Sequence, residues 1–254
     1  MTAGRLDIVG LGPGPADWAT PEVLAIVEQA SDLVGYGPYL QRLPVQPMQR
    51  QHASGNRVEL ERAREALDLA LEGRRVALVS SGDPGIFAMA ATVFEVIEAD
   101  AARWRAVEIA VHPGVSAMLA AAARLGAPLG HDFAVMSLSD NLKPWPIVER
   151  RLTAAAEADF VMVFYNPASK ARPQQIQAAL ALLRKLRPAG TVVALARAVG
   201  HPGEHITLTT LGAADASAVD MNTLVLVGSS ATRSIPRGDG RQWIYTPRRY
   251  GAST

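Results

Sequence analysis

The sequence predicts an α/β protein made of two α/β lobes, with mainly parallel sheets and a cleft between the lobes. Short apolar runs typical of buried strands alternate with segments in which apolar residues recur every three or four positions. Breaker turns rich in glycine and proline follow most of the apolar runs. In parallel sheets such turns collect at one edge, where open α/β sheets bind ligands.

In the first half, apolar runs predict strands at residues 6–9, 33–34, 75–80 and 107–111. Thr20-Pro21 opens a helix, because threonine caps a helix and proline suits its first turn. After the strand at 75–80, a further helix is predicted from apolar residues that share one face: Ile86, Met89, Ala90, Val93, Phe94 and Ile97.

The second half repeats this alternation. Strands are predicted at residues 133–138, 160–165, 191–196 and 223–227, with helices after the first two. A run of small residues at 126–130 predicts the boundary between lobes. The expected organisation is an N-terminal lobe at 1–126, a C-terminal lobe at 127–233 and a polar, arginine-rich tail at 234–254.

Composition excludes several classes of function. A net charge of +1 gives no electrostatic footprint for nucleic acid or an anionic membrane. No apolar stretch approaches the roughly 20 residues of a membrane span, and the N-terminus lacks a signal-peptide pattern. The chain has no cysteine, and hence no disulfide or catalytic thiol. A cytoplasmic protein without a membrane or nucleic-acid partner is expected.

Two segments resemble known binding motifs, but the residues within them do not fit a dinucleotide site or a zinc site. The turn at 10–15 has the spacing G-x-G-x-G, lacks the third glycine of a dinucleotide fingerprint and loses amide donors to two prolines. The run His201-Pro202-Gly203-Glu204-His205 matches a zinc-hydrolase pattern, but Pro202-Gly203 argues against the required helix. No metal site is therefore expected. The chain also lacks a nucleophile elbow and a P-loop lysine.

What remains is a set of turns that follow strands. They are expected to gather at one edge and to build the cleft. The 81–85 turn brings a carboxylate and side-chain-free backbone there, and its glycines would give a ligand room to approach. The turns lie at residues 10–15, 81–85, 112–116, 137–141, 165–167 and 198–203, and their polar side chains include Asp83, His112, Ser116, Asp140, Asn141, Tyr165, Asn166 and Arg197.

Four of these segments resemble, in order along the chain, the tetrapyrrole methylase family of S-adenosylmethionine-dependent methyltransferases. They are residues 9–14, 81–84, 113–116 and 163–167, and the resemblance extends to about residue 230. The segment at 139–145 is similar to the cobalamin-pathway branch that methylates C17 of a corrin precursor. The resemblance implies two α/β lobes, S-adenosylmethionine in the cleft between them and a homodimer.

The resemblance also implies which residues meet the methyl donor and the tetrapyrrole. The cofactor side comprises Gly82, Asp83, Ile86, Ser116, Ala117, Tyr165, Asn166, Ala198 and Thr223. The turn at 10–14 faces the tetrapyrrole, and the expected substrate contacts are Gly10, Gly12, Pro13, Gly14, Arg57, Asn141 and Lys143. Some of five cations are expected to pair the substrate's carboxylates: Arg42, Arg50, Arg57, Lys143 and Arg172.

In this branch the resemblance implies methyl transfer followed by contraction of the macrocycle. Contraction needs a base for a hydroxyl proton, and Asp83, His112 and Asp140 are the candidates. Relatives that act on uroporphyrinogen carry a Tyr-Asp pair where this chain has Tyr36-Gly37, so that base cannot be transferred here.

Three alternatives stay open from the sequence. The acceptor could be the cobalt-loaded macrocycle of the anaerobic route. The enzyme could methylate another acceptor, such as a ribosomal RNA ribose or a modified histidine, although a net charge of +1 disfavours RNA. A non-enzymatic tetrapyrrole carrier would not need the cofactor-side residues. Hand-over of product to a neighbouring pathway enzyme is also possible.

Overall fold

The computed structural model describes residues 4–44, 46–56, 58–169 and 172–249, so Arg57 lies outside the described residues. The chain divides into two compact units, Met1–Ala117 and Met118–Thr254. The helix Ala117–Leu125 lies between this division and the boundary predicted after residue 126: the division falls at the start of the helix, and the predicted boundary follows its end.

The first unit is built on a five-stranded parallel sheet. Its strands are β1 (Arg5–Gly10), β2 (Asp32–Tyr36), β3 (Arg50–Ser54), β4 (Arg75–Ser80) and β5 (Glu108–His112). Its helices are α1 (Pro21–Gln29), α2 (Gly37–Leu40), α3 (Glu59–Leu71), α4 (Met89–Ala99) and α5 (Ala101–Trp104). The strand order is β3-β2-β4-β1-β5, and every pairing is parallel. The parallel prediction is confirmed for this sheet.

Both faces of this sheet are covered, which explains the almost unbroken apolar character of its strands. Successive residues of β1 point to opposite faces. Leu6 and Ile8 pack with residues of α3 and α4, whereas Val9 packs with residues of α1. The helix α1 begins as predicted, because the Thr20 hydroxyl accepts a hydrogen bond from the Val23 N–H at 3.2 Å.

The helix after β4 begins later than predicted. The apolar pattern started the helix at Ile86, but its first helical residue is Met89. Phe87 has a left-handed backbone with φ of 52°, and Ala88 is extended, so the helix cannot begin before Met89. Phe94, expected on the buried face, is 50% exposed.

The second unit contains a mixed sheet. Its helices are α6 (Ala117–Leu125), α7 (Trp145–Glu157) and α8 (Gln174–Leu186), of which α6 takes its first residue from the end of the first unit. Its strands are β6 (Gly126–Ala127), β7 (Phe133–Ser137), β8 (Val161–Tyr165), β9 (Val192–Arg197), β10 (His205–Thr210), β11 (Thr223–Val227), β12 (Arg233–Pro236) and β13 (Gln242–Tyr245).

The five-stranded sheet of this unit has the order β10-β9-β11-β8-β7, and only β7 and β8 pair in parallel. The other three pairings are antiparallel, so the prediction of a mainly parallel sheet is corrected here. The physical reason is clearest between β9 and β10. The short segment at 198–204 cannot form the crossover of a dozen or more residues that a parallel pair needs.

The tail forms a small three-stranded sheet with strand β6 of the second unit. Strand β13 pairs with β12 in antiparallel and with β6 in parallel, with Ile244 opposite Gly126. Gly126 has φ of 124°, and a Cβ there would lie 2.9 Å from the Ile244 carbonyl oxygen. Glycine is therefore required where the tail docks. Among the described residues, none of the helices combines the length and the apolar character needed to cross a bilayer.

Candidate functional site

Three turns of the first unit meet at the carboxyl ends of β4, β1 and β5. Strand β1 lies between the other two, with Gly10 opposite Ser80 and Val9 opposite His112. The turns that follow these strands, at 10–15, 81–85 and 112–116, are therefore neighbours. The Gly12 N–H donates to the Gly82 carbonyl oxygen at 3.2 Å and joins the first turn to the second.

Glycines let these turns pack backbone against backbone. A Cβ on Gly114 would lie 2.3 Å from the Gly82 carbonyl oxygen, and a Cβ on Gly10 would lie 2.5 Å from the same atom. At Gly10 and Gly114 the space beside the backbone is therefore filled by the protein itself. Gly82 differs: its φ is 67° and the nearest atom to a Cβ there is 3.9 Å away. Open space is found beside Gly82.

Asp83 links two of the turns through both of its carboxylate oxygens. Oδ1 accepts a hydrogen bond from the Gly85 N–H at 2.8 Å, and Oδ2 accepts one from the Gly114 N–H at 3.1 Å. Each carboxylate oxygen has two acceptor positions. Asp83 therefore orders the turn and still has positions with which to accept a hydrogen bond from a ligand. Ile86, two residues after Pro84, is half-buried.

His112 is buried and has a carboxylate beside each ring nitrogen. Its Nε2 lies 2.8 Å from Asp7 Oδ1, and its Nδ1 lies 3.0 Å from Glu22 Oε1. This arrangement ties β5 to β1 and to α1. Because both nitrogens are engaged, the geometry favours a positioning role for His112 over proton abstraction. The neighbouring Ser116 is buried, and Ala117 begins α6.

In the second unit the turn after β8 is held by side chains. Asn166 has a left-handed backbone with φ of 50°, and its Nδ2 donates to the Ser137 hydroxyl at 3.0 Å. Ser137, buried at the end of β7, also accepts the Ser139 N–H at 3.3 Å. The Tyr165 hydroxyl accepts the Met118 N–H at 2.9 Å and so caps the first turn of α6. Tyr165 and Asn166 were predicted as site residues, whereas Ser137 was not, because its only signal in the sequence is its place at a strand end.

Ala198 and Thr223 lie at the same edge of the second sheet. Ala198 follows β9, and its N–H donates to the Asn222 carbonyl oxygen at 2.9 Å. Thr223 begins β11 opposite Arg197. Ala198 is also left-handed, with φ of 49°. Asn166 and Ala198 thus both have left-handed backbones, at the ends of β8 and β9 on either side of β11. Strained backbone of this kind is typical of functional sites.

Asp220 fixes the start of β11. Its Oδ1 accepts a hydrogen bond from the Thr223 hydroxyl at 2.7 Å, and its Oδ2 accepts one from Arg197 Nε at 2.9 Å. Burial raises the pKa of Asp220, but these hydrogen bonds outweigh burial and leave the pKa below its ordinary value. Asp220 was not among the predicted site residues.

Asp140 is engaged by two donors from further along the chain. Arg172 Nη1 donates to its Oδ1 at 2.8 Å, and Gln175 Nε2 donates to its Oδ2 at 3.2 Å. The bond from Arg172 is the main reason why the pKa of Asp140 lies below its ordinary value. A carboxylate held ionised in this way is a weak base. Arg172 in turn is neutralised by Asp140, which weakens its case as a substrate cation.

The segment at 139–145 also carries Asn141 and Lys143. Asn141 is exposed, and its N–H donates to the Ser139 hydroxyl at 3.4 Å. Lys143 is half-buried and forms no hydrogen bond or ion pair with any described residue. Burial, reinforced by the charge of Arg151, lowers the pKa of Lys143 from its ordinary value. Lys143 therefore keeps its hydrogen-bond donors for a ligand.

No cluster of three or more His, Cys, Asp or Glu side chains that could hold a metal ion occurs in the described part of the chain. The 201–205 segment is not helical, as the sequence predicted, and His205 begins β10. Glu204 instead accepts hydrogen bonds from the Gly200 N–H and from Arg124 Nε, each at 2.8 Å.

Comparison with known proteins identifies relatives over the whole chain. Residues 5–215 match the family model described as Tetrapyrrole (Corrin/Porphyrin) Methylases. A Sinorhizobium sp protein named Precorrin-3B C(17)-methyltransferase is 52% identical over 251 residues, which cover 99% of each chain. A Salmonella typhimurium protein named "Probable cobalt-factor III C(17)-methyltransferase" is 42% identical over 89% of this chain and 93% of its own.

Among solved structures, the crystal structure of the methyltransferase CobJ has a TM-score of 0.92 and 50% identity. The match covers 96% of this chain and 100% of that one. The family match spans the 10–15, 81–85, 112–116 and 165–167 turns described above. This chain belongs to the tetrapyrrole methylase family.

Proposed function

We propose that this protein transfers a methyl group from S-adenosylmethionine to C17 of precorrin-3B, with contraction of the ring to precorrin-4, in cobalamin biosynthesis. The observation that carries the proposal is the 52% identity to the Sinorhizobium protein over 99% of both chains. The fold agrees, because the CobJ methyltransferase structure matches with a TM-score of 0.92.

S-adenosylmethionine supplies an electrophilic methyl group on a sulfonium centre. In the first unit, the open face of Gly82, the remaining acceptor positions of Asp83 and the nearby residues Ile86, Ser116 and Ala117 are proposed to hold its methionine part. In the second unit, Tyr165, Asn166, Ala198 and Thr223 are proposed to hold its adenosine part. The left-handed backbones of Asn166 and Ala198 support this assignment, because strained backbone is concentrated at ligand sites.

Substrate contacts are proposed for the turn of Gly10, Gly12, Pro13 and Gly14, and for Asn141 and Lys143. Lys143 is the best supported: Asp140 acts on it electrostatically, but Lys143 forms no ion pair or hydrogen bond with a described residue. Arg57 lies outside the described residues and stays a prediction. For methyl transfer itself, positioning of the acceptor carbon and exclusion of water would supply most of the rate gain.

Ring contraction needs removal of a hydroxyl proton. Of the three proposed acid–base residues, Asp140 is a weak base and His112 has both nitrogens engaged. Asp83 keeps acceptor positions on both carboxylate oxygens and is therefore the first to test. Asp83→Asn should reduce turnover or weaken cofactor binding, and unchanged kinetics would remove Asp83 from both roles.

A second acceptor is supported by the Salmonella relative, whose name specifies cobalt-factor III. The deciding experiment incubates the protein with S-adenosylmethionine and metal-free precorrin-3B and follows the product by mass and absorption spectrum. A gain of one methyl group with a changed chromophore supports the proposal. Turnover of the cobalt complex alone would favour the second acceptor.

A calorimetric titration with S-adenosylhomocysteine tests the enzyme class separately. A tetrapyrrole carrier without enzymatic activity would not bind this product of the methyl donor. The absence of binding would therefore sink both methyltransferase assignments.

A homodimer, a cytoplasmic location and hand-over of the product to the next enzyme complete the proposal. Exposed apolar side chains, including Leu119 on α6 and Trp243 on β13, support a second copy as partner. Light scattering of the purified protein measures the oligomeric state directly, and a monomer at assay concentration would contradict the dimer.

A further inference from the structure

Two arginines at the carboxyl edge of the first sheet are bound only by neutral groups. Arg42 lies just after α2, and its Nη2 donates to the Gly14 carbonyl oxygen at 2.6 Å and to the Gly12 carbonyl oxygen at 3.2 Å. Its Nη1 also donates to Gly12 at 3.2 Å. The guanidinium therefore holds the 10–15 turn by its carbonyl oxygens.

Arg62, on α3, is buried beside the end of β3. Its Nε donates to the Ser54 hydroxyl at 2.7 Å, and its Nη2 donates to the Gly55 carbonyl oxygen at 2.5 Å. Its Nη1 lies 3.6 Å from the Met89 sulfur. All three partners are uncharged.

Neither arginine forms an ion pair with a described residue, and the remaining residues of the chain carry no Asp or Glu side chain. The buried arginine of the second unit shows the usual solution, because Arg187 is paired with Asp159. An unpaired buried charge is costly, and natural proteins usually pair it. Arg62 is buried and Arg42 is half-buried, and neither is paired with an acid among the described residues. Two unpaired arginines near one sheet edge therefore indicate a ligand that supplies the negative charge.

Two tyrosines lie near these arginines. Tyr36 ends β2 directly opposite Ser54, which binds Arg62. The Tyr36 and Tyr39 rings contact edge to face, with centroids 5.1 Å apart. Burial and the neighbouring Tyr36 raise the pKa of Tyr39, whereas the charges of Arg42 and Arg62 act to lower it. Both guanidinium groups therefore interact electrostatically with Tyr39. Neither tyrosine hydroxyl hydrogen-bonds to a described residue.

We infer that Tyr36, Tyr39, Arg42 and Arg62 form a binding subsite for a carboxylate side group of the methyl acceptor. This inference rests on the proposed function, which requires an acceptor rich in acetate and propionate groups. Guanidinium groups bind carboxylates with charge-assisted hydrogen bonds, and tyrosine hydroxyls add neutral donors. We call these four residues the Tyr39 subsite.

The test uses the full chain and uroporphyrin III, a stable tetrapyrrole whose side chains end in carboxylates, titrated by fluorescence. Arg42→Gln and Arg62→Gln should each weaken binding about tenfold and reduce its dependence on salt. Arg105→Gln is the matched control, because Arg105 is exposed and lies before β5, at the opposite edge of the sheet. This control should bind as the unchanged protein does.

Arg62 is buried, so Arg62→Gln could fail to fold, and a thermal melt of each variant shows whether it has. In that case Arg42→Gln and Tyr39→Phe decide the question, because the second removes a single hydroxyl. Folded variants that bind uroporphyrin III as tightly as the unchanged protein would overturn the subsite, as would an unchanged protein that does not bind it.

Binding of S-adenosylhomocysteine is measured on the same samples. If the proteins bind S-adenosylhomocysteine and the variants bind uroporphyrin III as tightly as the unchanged protein does, the subsite is rejected and the methyltransferase assignment is kept. If the unchanged protein does not bind S-adenosylhomocysteine, the methyltransferase assignment is rejected instead.

Discussion

The two units order the turns at their strand ends in different ways. In the first unit, Gly10, Gly82 and Gly114 pack backbone against backbone with no space for a Cβ at two of the three positions. In the second unit, side chains do this work: Asn166 is bonded to Ser137, and Thr223 to Asp220. Added atoms should therefore damage the first unit's turns, whereas removed polar atoms should damage the second unit's.

This difference follows from the strands beneath the turns. The first sheet is wholly parallel, so the turns at this edge all follow strand ends. Asp83 links two adjacent turns there by accepting hydrogen bonds from their backbone N–H groups. The second sheet is mixed, so that the start of the antiparallel strand β11 shares an edge with the ends of β8 and β9. A strand start brings a threonine hydroxyl and a capping aspartate to that edge.

The largest effect is expected for Gly114→Ala. The added methyl group would lie 2.3 Å from the Gly82 carbonyl oxygen and 2.7 Å from that of Gly10, and both atoms belong to backbone. The free energy of unfolding, measured by urea denaturation, should fall by about 3 kcal/mol or more. The matched control is Gly37→Ala, because a Cβ at Gly37 meets nothing within 4 Å. Equal stability of the two variants would refute backbone packing as the role of Gly114.

Asn166→Ala tests the second unit. This variant loses the hydrogen bond to Ser137 and places a residue with a Cβ but no polar group in the left-handed region. The expected loss is about 2 kcal/mol, divided roughly equally between the two effects. Asn166→Gly separates them, since it loses the bond without the strain and should cost about 1 kcal/mol. Identical losses in both variants would remove strain from the explanation.

How much could be predicted from the sequence also differs between the units. The 10–15 and 81–85 turns were found because glycine and proline are visible in a sequence and fit few positions other than tight turns. The α/β class was predicted from the alternation of strand and helix patterns, and the family from four motifs in order along the chain; both are confirmed. Strand direction in the second sheet was not, because it depends on the path of the connections.

The side-chain partners could not be found either. Asp140 was proposed as a base, yet Arg172 and Gln175 engage it from more than thirty positions further along the chain. Arg62 reads as a polar position on a helix, although it is 5% exposed. Left-handed backbone at Phe87 and Ala198 has no signal in the residue type. Such features depend on tertiary contacts rather than on local preference.

A smaller effect is expected for Asp220→Asn. Because the pKa of Asp220 is lowered in the folded protein, its contribution to stability is present at neutral pH and is lost as the pH falls below 3.8. The side chain is partly exposed, so the loss at neutral pH should be below about 1 kcal/mol. Urea denaturation at neutral pH and at a pH below 3.8 should show the two proteins converging in acid. A difference that stays constant with pH would assign the effect to packing.

The smallest effect, and the one that separates the units most sharply, is expected for Ala198→Gly. Ala198 has φ of 49°, so glycine would relieve a strain of about 1 kcal/mol while losing somewhat less in unfolded-state entropy. The free energy of unfolding should rise by about 0.5 kcal/mol. Ala196→Gly, two residues earlier within β9, relieves no strain and should lose about 1 kcal/mol. Opposite signs would show that the second unit retains a strained residue where the first unit uses glycine. If S-adenosylhomocysteine also binds the stabilised Ala198→Gly protein more weakly, the strain serves the ligand; unchanged binding would make it a feature of the fold alone.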